Sequence, residues 1–161
     1  MNTLKITFGI AIVLVASRFI PHPPNFTALI ALSFYAPVFF GLRYIPLVAV
    51  CFAFTDLFLG FHAYTLFTWG SILLIGLVSK FFFQSIQKRL FGAFIGSLIF
   101  FIITNLGVWA LGGYEKNISG LITCFYLAIP FYTNNFLSTI TYSLIIELIN
   151  WVYSYKRLQI R

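Results

Sequence analysis

Three carboxylates and two histidines supply all the acid–base chemistry this sequence can offer: Asp56, Glu115, Glu147, His22 and His62. Asp56 with either histidine could form a proton-transfer pair. No nucleophile motif, metal-ligand set or phosphate-binding loop accompanies it, so the reading is a protein that is not an enzyme and carries neither metal nor cofactor. Cys51 and Cys124 stand in apolar segments without metal-type spacing and read as buried free thiols. What remains is recognition chemistry. Arg18, His22, Asn25, Asp56, Trp69, Asn105, Trp109, Asn134 and Asn135 are the candidate substrate contacts, offering charge, amide and indole groups of the kind that line small-molecule sites. Each also has a purely structural use. Arg18 and Asp56 could form an ion pair, His22 could cap the end of a helix, and Trp69, Trp109 and Tyr114 could belong to an aromatic belt.

The elements that position these groups follow from composition. Hydrophobic residues make up 61% of the 161-residue chain and charged residues 8%, with a mean hydropathy of +0.99. Soluble domains carry roughly 25% charged residues, and a chain of this size has too much surface to hide so apolar a composition from water. The bilayer is the solvent that fits, and the length suggests a single domain over residues 1–161. The net charge of +7 is distributed with no run longer than two adjacent cations, which argues against nucleic acid and for topology signals.

The expected fold is all-α and polytopic, with about six transmembrane helices. Residues 1–20 resemble a signal peptide, with Lys5 before an apolar run, but read better as a retained first helix. Spans are expected at 3–20, 27–41, 46–60, 65–83, 91–111 and 132–153, with a short helix over 118–129 at the interface. The punctuation is Pro21-His22-Pro23-Pro24, Thr27 as a cap, Pro46 opening the third helix, Gly60, the polar link 84–89, Gly112-Gly113 and Pro130. With both termini cytoplasmic, the inner side holds Lys5, Arg43, Lys80, Lys88, Arg89, Lys156, Arg157 and Arg161, and the outer side only Arg18 and Lys116.

That topology gathers the candidate residues in the outer leaflet. Asp56 lies roughly 7 Å below the outer end of its helix, where a carboxylate is costly unless paired. Arg18 is the cation at matching depth, and the two are expected within salt-bridge distance. On the fifth helix, Gly92, Gly96 and Gly107 share a sector of roughly 60°, with Gly92 and Gly96 forming the Gly-x-x-x-Gly signature of close helix packing in lipid. Asn105 and Trp109 point to the opposite side. The amides, indoles and carboxylate are expected to meet in one outward-opening pocket under the 21–24 loop, taking a neutral or zwitterionic heterocycle.

The stretch Arg18-Phe-Ile-Pro-His-Pro-Pro-Asn-Phe26, Asp56 with Gly60, and Thr104-Asn-Leu-Gly-Val-Trp109, set in a small six-helix membrane chain, resemble the substrate-binding (S) components of energy-coupling factor transporters and a related group of uncharacterised bacterial membrane proteins. The resemblance implies uptake of a vitamin-like small organic molecule across a bacterial inner membrane. It also implies an outward-facing cavity and a membrane scaffold with an ATPase pair as partners. In that family the scaffold grips an Ala-x-x-x-Ala motif on the first helix; here the spacing falls at Ala49 and Ala53, on the third. The alternative reading is a small structural subunit that packs against a larger membrane complex and binds no substrate.

Overall fold

The computed structural model describes residues 3–159, and side chains as far as residue 155. Arg161 and the side chains of Lys156 and Arg157 lie outside the described residues. The described chain is helical, with no strand: α1 (Thr3–Phe19), α2 (Leu29–Phe40), α3 (Ile45–Leu59), α4 (Thr65–Val78), α5 (Ile86–Ala110), α6 (Ile118–Leu127) and α7 (Ile129–Gln159). Short 3₁₀ turns at Leu42–Tyr44 and Ser79–Phe81 join α2 to α3 and extend α4. Among the described residues, three stretches are long and apolar enough to cross a membrane: Leu42–Leu59, Ile86–Ala110 and Ile129–Tyr155.

Local chemistry fixes most helix ends. Pro46 sits in the first turn of α3, where its missing N–H costs nothing, and Gly60 ends that helix with φ +94°. α4 ends at Val78, with its 3₁₀ extension stopping at Phe81 instead of residue 83, and α7 runs from Ile129 to Gln159 instead of 132–153; the starts of α5 and α2 differ as well. α5 starts at Ile86 instead of residue 91. The Ser85 side chain accepts the Lys88 N–H at 3.2 Å, and this cap draws the polar link into the first turn. α2 starts at Leu29 after Ala28; the Thr27 hydroxyl only reaches the Leu29 N–H at 3.4 Å, so it does not act as the cap. Pro130 does separate two helices, since it occupies the first turn of α7, where proline is tolerated.

α2 is the central pillar. Every residue from Leu29 to Pro37 is buried, against α4, α5 and α7 on its flanks. A helix this short, 12 residues, leaves height to be made up by the 20–28 loop at one end of the bundle, because each residue adds only about 1.5 Å of rise. The glycine face of α5 lies against this pillar and α4. A Cβ on Gly92 would fall 2.5 Å from the Phe34 ring and 2.6 Å from Phe82 Cβ, and one on Gly96 3.2 Å from Ile75. One on Gly107 would run into the Phe67 ring. The close-packing expectation for these three glycines is met within the chain itself. Gly92→Ala is expected to destabilise the protein by about 1–3 kcal/mol through overpacking, because Phe34 is buried and cannot retreat. Gly96→Ala should cost clearly less. Thermal unfolding of the two variants in detergent checks the order, and an equal cost would mean that the α2–α5 contact is looser than described.

Candidate functional site

The polar site begins with Arg18, in the last turn of α1. Its Nη1 donates to Asp56 Oδ1 at 2.6 Å, to the Phe52 carbonyl at 3.3 Å and to the Thr55 hydroxyl. The guanidinium carbon lies 4.3 Å from the centre of the Phe52 ring. Asp56 is only 2% exposed, and its second oxygen accepts the Trp69 indole N–H at 2.8 Å. The expected Arg18–Asp56 pair is therefore present, and Trp69 completes it. A buried carboxylate needs its charge balanced and its lone pairs filled; one residue from each of α1 and α4 does this for α3.

Above this triad lies a cavity of about 580 Å³. The 20–28 loop forms part of it through His22, Asn25 and Thr27, while α5 contributes Thr104 and Asn105 and α7 contributes Tyr132 and Asn135. The loop is held down where it returns to the bundle, since Ser17 on α1 accepts the Ala28 N–H at 3.1 Å. Asn25 adopts a left-handed backbone with φ 64, a conformation that asparagine tolerates better than most residues. The His22 ring nitrogen Nδ1 sits 2.7 Å from the Pro23 carbonyl. A carbonyl can only accept, so Nδ1 carries the proton.

Five of the nine predicted contact residues line the cavity: Arg18, His22, Asn25, Asn105 and Asn135. The other four do not. Asp56 and Trp69 are taken up by the ion-pair triad behind Arg18. Trp109 donates its indole N–H to the Glu115 carbonyl at 3.0 Å, which braces the α5–α6 connection. Asn134 falls outside the lining, displaced by about 100° around α7 from Asn135. The 21–24 loop takes part through His22 and not through its prolines.

The aromatic wall was not legible in the sequence. Phe101 and Tyr132 pack with ring centres 4.8 Å apart, and both line the cavity beside Phe100 and Phe131. Among 30 Phe and Tyr residues (21 and 9), nothing in spacing distinguishes these from lipid-facing rings. α6 closes one side with Cys124 and Leu127, and the Cys124 thiol donates to the Asn105 carbonyl at 3.4 Å.

Asn135 carries the strongest sign of an occupant. It is 7% exposed, it lines the cavity, and among the described residues its amide has no protein hydrogen bond. Its backbone carbonyl is engaged by Ser138 and Thr139, so the residue is fixed while its side chain is left for whatever enters. The amide atoms open onto the cavity and are not sealed off; the fully buried side-chain atoms without a partner, among the described residues, are the Tyr35, Tyr44 and Ser143 hydroxyl oxygens.

A second ion pair lies at the opposite end of the bundle, and the sequence reading did not pair its members. Arg89 on α5 makes a bidentate contact with Glu147 on α7, Nε to Oε1 at 2.6 Å and Nη2 to Oε2 at 2.7 Å. The buried Tyr35 hydroxyl stands close to this carboxylate and to the buried Ser143 hydroxyl. A separate, mostly apolar cavity of about 440 Å³ adjoins Tyr35 between α1, α2 and α7.

No curated protein and no solved structure matches the chain significantly. Over residues 1–158 the sequence matches a protein family described as a family of unknown function, DUF6580. The chain belongs to that family.

Proposed function

We propose that the protein is a membrane-embedded binding and uptake protein for a small organic molecule, similar in kind to the substrate-binding components of energy-coupling factor transporters. In this reading six helices, α1 to α5 and α7, alternate across a bacterial inner membrane with both termini cytoplasmic. α6 lies in the outer interface and the large cavity opens outward. The charge distribution supports that orientation: Arg18 and Lys116 belong to the cavity end, while Lys5, Arg43, Lys80, Lys88 and Arg89 belong to the other. A scaffold and ATPase module would supply energy, since the chain carries no phosphate-binding loop of its own.

The observation that carries the reading is the roomy, largely apolar cavity with a few polar groups, the unpartnered Asn135 amide among them, in its wall. The glycine face of α5, which could have docked a larger complex, is filled by the chain's own Phe34, Phe67 and Ile75. This weighs against the structural-subunit alternative. A ligand that binds the folded state raises the melting temperature by mass action. Screening the detergent-solubilised protein against a broad vitamin panel is expected to give such a shift. Asn135→Ala should weaken the responding ligand by about tenfold or more, whereas Trp109→Ala should leave its affinity within about twofold, being outside the cavity. Absence of any shift, together with stoichiometric co-purification of a larger membrane assembly, would replace this reading with the structural-subunit one.

A further inference from the structure

The hydrogen-bond polarity of the cavity wall restricts what can fill it. Thr104 spends its single donor and Asn105 one of its two on their own helix: the Thr104 hydroxyl donates to the Phe100 carbonyl at 2.8 Å and the Asn105 amide nitrogen to the Phe101 carbonyl at 2.7 Å. A carbonyl cannot donate, so these bonds also fix the orientation of the Asn105 amide. Thr104 is left with lone pairs alone for the cavity it lines, and Asn105 with its carbonyl oxygen and one N–H. Thr68, whose hydroxyl faces the Tyr64 carbonyl at 3.3 Å, is in the same state as Thr104. The α4–α5 wall therefore accepts through Thr68, Thr104 and the Asn105 oxygen, with one Asn105 N–H as its remaining donor.

The α1 side does the opposite. Arg18 uses only Nη1 on the protein, and among the described residues Nη2 and Nε have no protein partner. Arg18 lines the cavity, and these N–H groups are donors without any accepting capacity. Among the described residues no carboxylate lines the cavity: Asp56 is held behind Arg18, and the Glu115 carboxylate accepts from the Asn117 amide in the α5–α6 connection. A cation would meet Arg18 with nothing of opposite charge beside it. Between the two sides, Asn135 offers donor and acceptor side by side, and Phe101 and Tyr132, with ring planes 43° apart, offer two separate aromatic faces.

The geometry points to a planar, neutral or singly anionic heterocycle of the lactam or ureide class, with ring N–H groups toward Thr104 and Asn105 and a ring carbonyl toward Arg18. The adjacent N–H and C=O of such a ring match the Asn135 amide edge, and one of its faces can stack on the Phe101 or the Tyr132 ring. This inference rests on the uptake reading above and narrows it to one chemistry.

Lumazine, a bicyclic ureide with N–H groups, can be compared with 1,3-dimethyllumazine, which keeps both carbonyls but loses those donors, and with the planar cation N-methylquinolinium. Equilibrium binding to the detergent-solubilised full-length protein gives the readout. Lumazine is expected to bind at least about tenfold more tightly than its dimethyl derivative, because each acceptor left unpaired costs on the order of a factor of ten. N-Methylquinolinium is expected not to bind. Thr104→Val and Asn105→Leu remove groups whose protein hydrogen bonds are to their own helix, so both variants should fold, and both should erase the preference for lumazine without strengthening the dimethyl derivative. Equal binding of the two lumazines, tighter binding of the cation, or a preference that survives both substitutions overturns the ligand class. If a vitamin of different chemistry still shifts the melting temperature, the uptake reading stands without it. If neither lumazine nor any vitamin binds, both fall.

Discussion

Asp56→Ala is expected to destabilise the folded protein by about 3–5 kcal/mol, the usual cost of removing one partner of a buried ion pair. The carboxylate is 2% exposed and serves two donors from two other helices, Arg18 Nη1 at 2.6 Å and Trp69 Nε1 at 2.8 Å. Without it the guanidinium keeps the Thr55 hydroxyl, the Phe52 carbonyl and the Phe52 ring face, and its positive charge has no counterion in a partly buried position. The indole N–H loses the acceptor it has on Asp56. Most of the cost lies in the uncompensated charge, so the double variant Arg18→Met/Asp56→Leu should lose less stability than the sum of its single changes. Urea or thermal unfolding in detergent measures the cycle. A loss under about 1 kcal/mol for Asp56→Ala would mean that water reaches the pair and screens it as it does surface pairs.

Glu147→Ala is the other substitution expected to cost about 3–5 kcal/mol, at the far end of the bundle. Arg89 lies in the opening turns of α5, where the helix dipole disfavours a cation. Its side chain is 11% exposed and that of Glu147 7%. The bidentate contact therefore stabilises a charge that neither water nor its own helix accommodates. It also ties the start of α5 to the second half of α7. Removing Glu147 leaves Arg89 with the Phe83 carbonyl at 3.1 Å and the Phe39 ring, 5.2 Å from the guanidinium carbon. Glu147→Gln should recover part of the loss, since its amide oxygen still accepts one N–H. Arg89→Lys should retain little of the pair's strength, because a point charge cannot reproduce the two parallel bonds. Comparable melting temperatures for wild type and Glu147→Ala would show that Arg89 turns to solvent when unpaired.

The two pairs place one buried charge couple at each end of a bundle whose buried middle, among the described residues, holds hydroxyl groups but no charge. In the uptake reading they bracket the bilayer, with Arg18 also serving the cavity and Arg89 serving only the scaffold. The division follows from their bonds. Arg18 leaves donors unused beside an open space, whereas Arg89 has engaged Nε, Nη1 and Nη2.

By itself the sequence determined the helical character, most helix ends and the Arg18–Asp56 pair. Those features depend on local or one-dimensional quantities. Apolar run length decides that a segment is a membrane-type helix, Pro46 and Gly60 act within a turn of their own position, and two isolated opposite charges at matched depth have few other partners. The packing of Gly92, Gly96 and Gly107 was legible for a similar reason, since a helix repeats with fixed geometry and its small residues mark one face. Only the tertiary structure decided which side chains meet in the cavity. Trp109 and Asn105 share a face of α5, yet the chain turns after Ala110 and brings the Glu115 carbonyl within reach of the indole, which leaves Asn105 lining the cavity without it. Asn134 and Asn135 are equivalent in composition, and the rotation of α7 set by its packing buries one and excludes the other. Arg89 and Glu147 stand 58 residues apart, and a cation at a helix start is indistinguishable in sequence from a topology signal until the facing helix is known. Distances across the bundle depend on the relative rotation of helices, and helical periodicity fixes a face without fixing what it faces.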